Sequence, residues 1–116
     1  VRDIKFRVWK EGEKVRPVNL WFFKEKDILD VDDLDRDGYV LMQYTGLKDV
    51  HGTEIYECDI CRQTFNHKTT VGRVTINPTQ GVKVGIEPIW PHDVIVIGNV
   101  YDNPELLLPA VAETVV

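Results

Sequence analysis

Asp33, Asp35 and Asp37 stand at alternate positions ahead of Gly38, with Val40 two residues further on. Counted from Asp33, carboxylates fall at the first, third and fifth places, glycine at the sixth and an apolar residue at the eighth. A calcium loop uses this spacing to wrap hard oxygen ligands around one ion, the glycine permitting the sharp turn. The twelfth place, where such a loop takes a bidentate Glu, is Tyr44, and the residues after Gly38 read as a strand rather than an exit helix. The favoured reading is a solvated acidic turn that enters a strand, with calcium as the alternative.

Cys58 and Cys61 form a CxxC. Two thiolates at that spacing clamp zinc when a turn brings them together, but zinc needs two further ligands. No second CxxC exists, which leaves His51, His67 and His92 as the remaining soft ligands. Alternation through Glu54–Cys61 predicts a single strand, in which residues three apart face opposite sides. One cysteine is then expected in the core and one on the surface. A redox dithiol would open a helix in a βαβ unit, and no such unit is visible. Serine is absent, a Cys58–His67 pair is not specified by sequence, and the eight glycines are too scattered for a phosphate loop. The chain is therefore read as non-catalytic, with no cofactor.

Arg62, His67, Lys68, Arg73 and Lys83 collect in the second half, with Phe65 interleaved, a composition that suits base stacking on a charged surface. Against a dedicated nucleic-acid binder stand the net charge of −5 and the sequence pI near 5.1, since such binders carry a basic face. Apolar contact surfaces are the other option. Leu20, Trp21, Phe22 and Phe23 form a compact block, Trp90 lies between Pro88 and Pro91, and Leu106, Leu107 and Leu108 open an apolar tail. A buried Trp is the ordinary case, but an outward one is a natural interface anchor.

Short strands must position these residues. Ile4, Phe6 and Val8 alternate with charged neighbours, Tyr39–Tyr44 reads as a strand, and Val71–Ile76 with Val82–Ile86 make a hairpin around Asn77–Gly81. Val94–Tyr101 is the last strand. Pro17 lacks a ladder donor and belongs at an edge or in irregular structure. Leu20–Phe23 fits either a buried strand or one face of a short helix, and residues 24–38 read as a charge-dense loop with room for a helical turn. Asn103, Pro104 and Glu105 start a short helix that Pro109 ends. Several short strands separated by turn signals predict an all-β barrel or sandwich. With 116 residues the chain fits one domain that needs no disulfide. The longest apolar run, Val94–Ile97, falls far short of the ~20 residues of a spanning helix. The charged N-terminus is no signal peptide, so the expected compartment is the cytoplasm, with both thiols reduced.

Two segments carry a resemblance. Gln43–Asp49 with Glu54–Glu57 and Asp59–Ile60, and Ile97–Tyr101 with Asn103–Leu106, are similar to the signature blocks of the YopX family of small phage and prophage proteins; Ile4–Arg7 and Trp9 fit as well. The resemblance implies a mainly β fold with an SH3-like barrel in its C-terminal part; combined with the strand pattern and the small, apolar, uncapped tail, this divides the chain into an N-terminal β-hairpin region over residues 1–42, the barrel part over 43–108 and a loose tail over 109–116. It also implies a phage or prophage origin in a bacterial host, no established activity and a tendency to self-associate. The chain departs from the pattern at Cys58, where the family usually has glycine between Glu and Asp, and at Cys61, where a β-branched residue is common. A cysteine does not adopt positive φ cheaply, so a different local backbone is expected at Cys58. The reading is of a non-catalytic accessory protein acting by protein binding or as a homo-oligomer, with no membrane and nucleic acid a lesser alternative.

Overall fold

The computed structural model describes residues 4–107. Strand β1 (Phe6–Lys10) returns through a turn to β2 (Arg16–Val18), and Pro17 lies opposite Arg7 on the edge strand, where its missing N–H breaks no inner ladder. The order of this sheet is β2-β1-β3-β4. β3 (Tyr39–Lys48) is long enough to serve two partners: Tyr39–Gln43 pairs with β1, and the stretch from Tyr44 to Lys48 pairs with β4 (Glu54–Tyr56). The register shifts between Tyr44 and Lys48, and Gly46 takes φ +88 inside that shift, a backbone position that glycine adopts without steric cost.

Residues 20–36 fold as two short helices, where the sequence suggested a strand-or-helix block followed by a loop. α1 (Leu20–Glu25) starts at Asn19, whose side chain accepts from the Trp21 amide at 3.0 Å. It stops with the Ile28 amide on the Phe23 carbonyl at 2.9 Å and Asp27 at φ +54, a left-handed helix end. α2 (Val31–Arg36) has a reciprocal cap. Asp30 accepts from the Asp33 amide at 3.1 Å, and the Asp33 carboxylate accepts from the Asp30 amide at 3.3 Å and the Leu29 amide at 2.7 Å. Six-residue helices span fewer than two turns, too few to repeat a hydrophobic period, so the run of Asp masked α2.

The strand expected over Glu54–Cys61 is broken at Glu57–Cys58, and the chain crosses there from one sheet to the other. The second sheet has the order β8-β7-β6-β5-β9, built from β5 (Asp59–Phe65), β6 (Lys68–Asn77), β7 (Gly81–Val84), β8 (Glu87–Pro88) and β9 (Val94–Asn99). β6 and β7 form the expected hairpin, with Asn77 opposite Gly81. A 3-10 helix, Pro104–Leu107, ends the described chain. The architecture is mainly β with only short helices, as expected, but the two antiparallel sheets do not close into a barrel. β3 runs without a break through residues 42 and 43.

Two cores form. Val8, Phe22, Ile28, Leu34 and Tyr39 make the first, beneath α1 and α2. Ile55, Cys61, Val74, Val84 and Val94 make the second, with Leu47 from β3 packed against it. No helix among the described residues is long and apolar enough to cross a membrane.

Candidate functional site

The block around α1 divides by helical geometry. Phe22 is buried in the first core, edge-on to Tyr39 at 5.0 Å, and so presents no contact surface. Trp21 points outward with 67% of its surface exposed, and Leu29 in the following turn is 87% exposed. With Phe23, Lys24, Asp27 and Ile28 they line an open groove of about 540 Å3. Lys24 Nζ lies over the Trp21 ring at 5.4 Å. Phe23 also lines a neighbouring hollow of about 390 Å3 beside Ile4, Phe6 and Val18, so apolar surface continues from α1 onto β1 and β2. Leu20 is the first residue of α1.

At the junction of the sheets, Arg7 Nη2 donates to Asp59 Oδ1 at 2.5 Å and to the Glu57 carbonyl at 3.2 Å, and its guanidinium lies 4.7 Å from the Tyr56 ring centre. Asp59 Oδ2 accepts from the Tyr56 amide at 2.8 Å. Burial pushes the Asp59 carboxyl above the ordinary value, and Arg7 and the Tyr56 amide offset part of that rise. Burial likewise raises the Tyr56 hydroxyl. Glu57, which sequence placed on an anonymous strand face, accepts from the Gln43 amide at 2.8 Å. Asp49 ties a turn to the edge of β9: its oxygens accept from the amides of His51 and Thr53 at 2.9 Å and of Val96 at 3.0 Å. Sequence patterning gave no sign of that role, because the partners are backbone amides, one of them 47 residues away.

Both cysteines are buried, which corrects the expectation of one surface thiol. Cys58 sits in the crossing turn at φ +68, so the chain keeps the left-handed backbone despite lacking glycine there, against expectation. Arg73 Nη2 donates to Cys58 Sγ at 3.3 Å. Cys61 lies in the second core, where burial pushes its thiol up to about 12. The acidic segment also differs from a calcium loop. Asp33 and Asp35 lie on α2 with Asp37 capping its end, and Asp33 spends its carboxylate on the helix cap and on Arg36 Nη1 at 3.1 Å. Among the described residues no group of three or more His, Cys, Asp or Glu is placed to hold a metal ion.

The basic cluster is split by strand alternation. Phe65 and Lys68 are cross-strand partners on one face; Phe65 stacks on Trp90 with centroids 4.2 Å apart and planes at 8°, and Lys68 pairs with Glu87. Trp90 is 37% exposed and its amide is held by the buried Gln63 at 2.9 Å. Arg62, Arg73 and Lys83 occupy the opposite face, and His67 sits in the turn between β5 and β6. Leu106 packs on β9, where a Cβ added to Gly98 would meet its methyl at 2.7 Å. Leu107 is half-buried, and Leu108 lies outside the described residues.

No curated protein sequence matches the chain. Among solved structures it is similar to protein EF1440 from Enterococcus faecalis, with a TM-score of 0.57 and 21% identity over 92% of this chain and 99% of that one. It is also similar to protein yopX from Bacillus subtilis, with a TM-score of 0.47 and 18% identity over 88% of this chain and 96% of that one. The family described as YopX protein matches residues 5–108, which take in the junction, the groove and both sheets, and the chain belongs to that family.

Proposed function

We propose that this member of the YopX family is a non-catalytic binding protein whose α1 face takes an apolar protein surface, a second copy of the same chain being the occupant. The observation that carries the reading is the exposure of Trp21 and Leu29, 67% and 87%, on the rim of the α1 groove. Large apolar side chains beside an apolar hollow form a patch that supplies both knob and hole, as a twofold interface requires. Lys24 and Asp27 line the same hollow, so a twofold mate would set opposite charges against each other. Burying both rim side chains would contribute about 1.5–3 kcal/mol each, before the entropic cost of association.

Light scattering across a concentration series tests this. The expected result is a mass that rises to twice the chain, and a Trp21→Ser/Leu29→Ser variant that stays monomeric with an unchanged thermal midpoint. A protein that remains monomeric to millimolar concentration, or a variant that dimerises as well as the parent, rejects the reading.

A further inference from the structure

The outer face of the five-stranded sheet carries a row of cations that linear sequence hides. Cα register sets Arg62 opposite Val71 on β6, and Lys83 opposite Thr75 on β6. Arg73 lies midway between Val71 and Thr75 on the same strand. Arg62, Arg73 and Lys83 therefore advance two residues at each step across β5, β6 and β7. Diagonal neighbours of this kind lie about 7–8 Å apart, so the three charges form one line across the sheet.

Among the described residues no ion pair neutralises that line. The sole carboxylate in β5, β6, β7 and β9 is Asp59, which is buried and paired with Arg7. Among the described residues no carboxylate pairs with Arg62, Arg73 or Lys83, whereas Lys68 on the opposite face is paired with Glu87. Arg62 and Arg73 are exposed and Lys83 half-exposed, and Thr64, Thr69 and Thr75 are exposed on the same face, the first two with their hydroxyls bonded to each other at 2.9 Å. The acidity of the chain is concentrated elsewhere, with six Asp between residues 27 and 37.

Beside the middle cation stands an aromatic pair. Arg73 Nη2 donates to Cys58 Sγ, and the Cys58 carbonyl accepts from the amide of Val100, the residue before Tyr101, at 2.9 Å. Tyr101 stacks on Trp9 with centroids 4.4 Å apart and planes at 20°, and both rings are half-buried rather than enclosed. A line of cations that tracks a phosphate backbone, with hydroxyls around it and an aromatic pair at its side, is the combination that holds unpaired nucleotides. We infer that this face docks single-stranded nucleic acid, Arg62, Arg73 and Lys83 contacting successive phosphates. The inference uses a different surface from the α1 groove and stands or falls without it.

Fluorescence anisotropy of a labelled mixed-sequence single strand, as DNA and as RNA, tests it with the full chain. Three phosphate contacts predict a log–log salt slope of about −2. An Arg62→Glu/Lys83→Glu variant, with both substitutions on exposed or half-exposed side chains, is expected to keep its circular dichroism and thermal midpoint. It should bind at least tenfold more weakly at low salt, with a slope reduced to about −0.7. An Arg62→Lys/Lys83→Arg variant should bind as the parent does. No anisotropy change at low salt would overturn the inference, and so would full binding by the charge-reversed chain. Equal affinity for a duplex of the same length would remove the single-strand assignment. Displacement by poly-glutamate at equal charge would assign the face to an acidic protein instead.

Discussion

The Arg7 guanidinium lies 2.5 Å from the Asp59 carboxylate, and that contact joins β1 of one sheet to β5 of the other. The pair is secluded, with side-chain exposures of 13% and 2%, and each partner is also held by the backbone of the crossing turn. Arg7 Nε is buried with no hydrogen-bond partner among the described residues. A desolvated ion pair of this kind fixes a geometry more than it adds stability.

Removing Arg7 alone should therefore cost more than removing both partners. Arg7→Met is expected to lower unfolding free energy by about 3–5 kcal/mol, because it strands the buried Asp59 carboxylate in the junction, whereas Asp59→Asn, a neutral mimic of the protonated carboxyl that burial favours, should cost less. The double variant should lose less than the sum of the two. Urea denaturation of the four chains measures the coupling, and strict additivity would show that the contact is incidental.

Two buried carboxylates should pull acid stability in opposite directions. Burial pushes Asp49 up, but the amides of Val96, Thr53 and His51 together outweigh it and leave the group below its ordinary value. Its contribution is present above the unfolded pKa of about 3.9 and is lost as pH falls through the lower folded value. Asp59, raised by burial, contributes stability that is full below the unfolded pKa and is lost as pH rises through its folded value. Asp49→Asn should cost about 1–3 kcal/mol at pH 7 through the lost acceptor and should make the acid limb shallower. Asp59→Asn should make that limb steeper. Urea midpoints from pH 3 to pH 7 give both slopes, and parallel curves for all three proteins would contradict the assignment.

At Cys58 the backbone favours glycine while the side chain fills space. A left-handed φ costs an L-residue about 1–2 kcal/mol, and the structure holds Cys58 there at φ +68. Cys58→Gly relieves that strain but loses the contact from Arg73 and frees the unfolded chain, so its stability should fall within about 1 kcal/mol of the parent. Cys58→Ala keeps the strain and should be the less stable of the two. Cys58→Val, β-branched at positive φ, should be the worst. Denaturant midpoints in any other order would refute this account of the turn.

Thiol labelling separates the cysteines from any zinc or redox role. With its thiol pushed up to about 12 by burial, Cys61 should resist iodoacetamide in the native protein at pH 8 and react fully in urea. Its native labelling should follow global unfolding, rising only as denaturant approaches the midpoint. Rapid native modification of Cys61 would mean that the second core opens far more readily than its packing implies.

The one-dimensional pattern was enough to place most strands, the hairpin at Asn77–Gly81 and the edge position of Pro17, because side-chain alternation, turn chemistry and a missing amide donor are local properties. It also marked the Gln43–Asp49 and Asp59–Ile60 segments, though not their purpose. The helix cap that consumes Asp33 was harder to see, since a string of Asp reads equally as ligand, loop or cap until a backbone amide claims the carboxylate. Tertiary structure decided the rest. At the break at Glu57–Cys58, which sends one apparent strand into two sheets, Asp59 meets Arg7, 52 residues away. Strand register split one basic cluster into Lys68, spent on Glu87, and the open row of Arg62, Arg73 and Lys83. Helical rotation buried Phe22 and exposed Trp21, which stand side by side in the chain. Sequence specifies which side chains are present and their local period. Which of them remain available for a partner is settled only when long-range contacts have consumed the others.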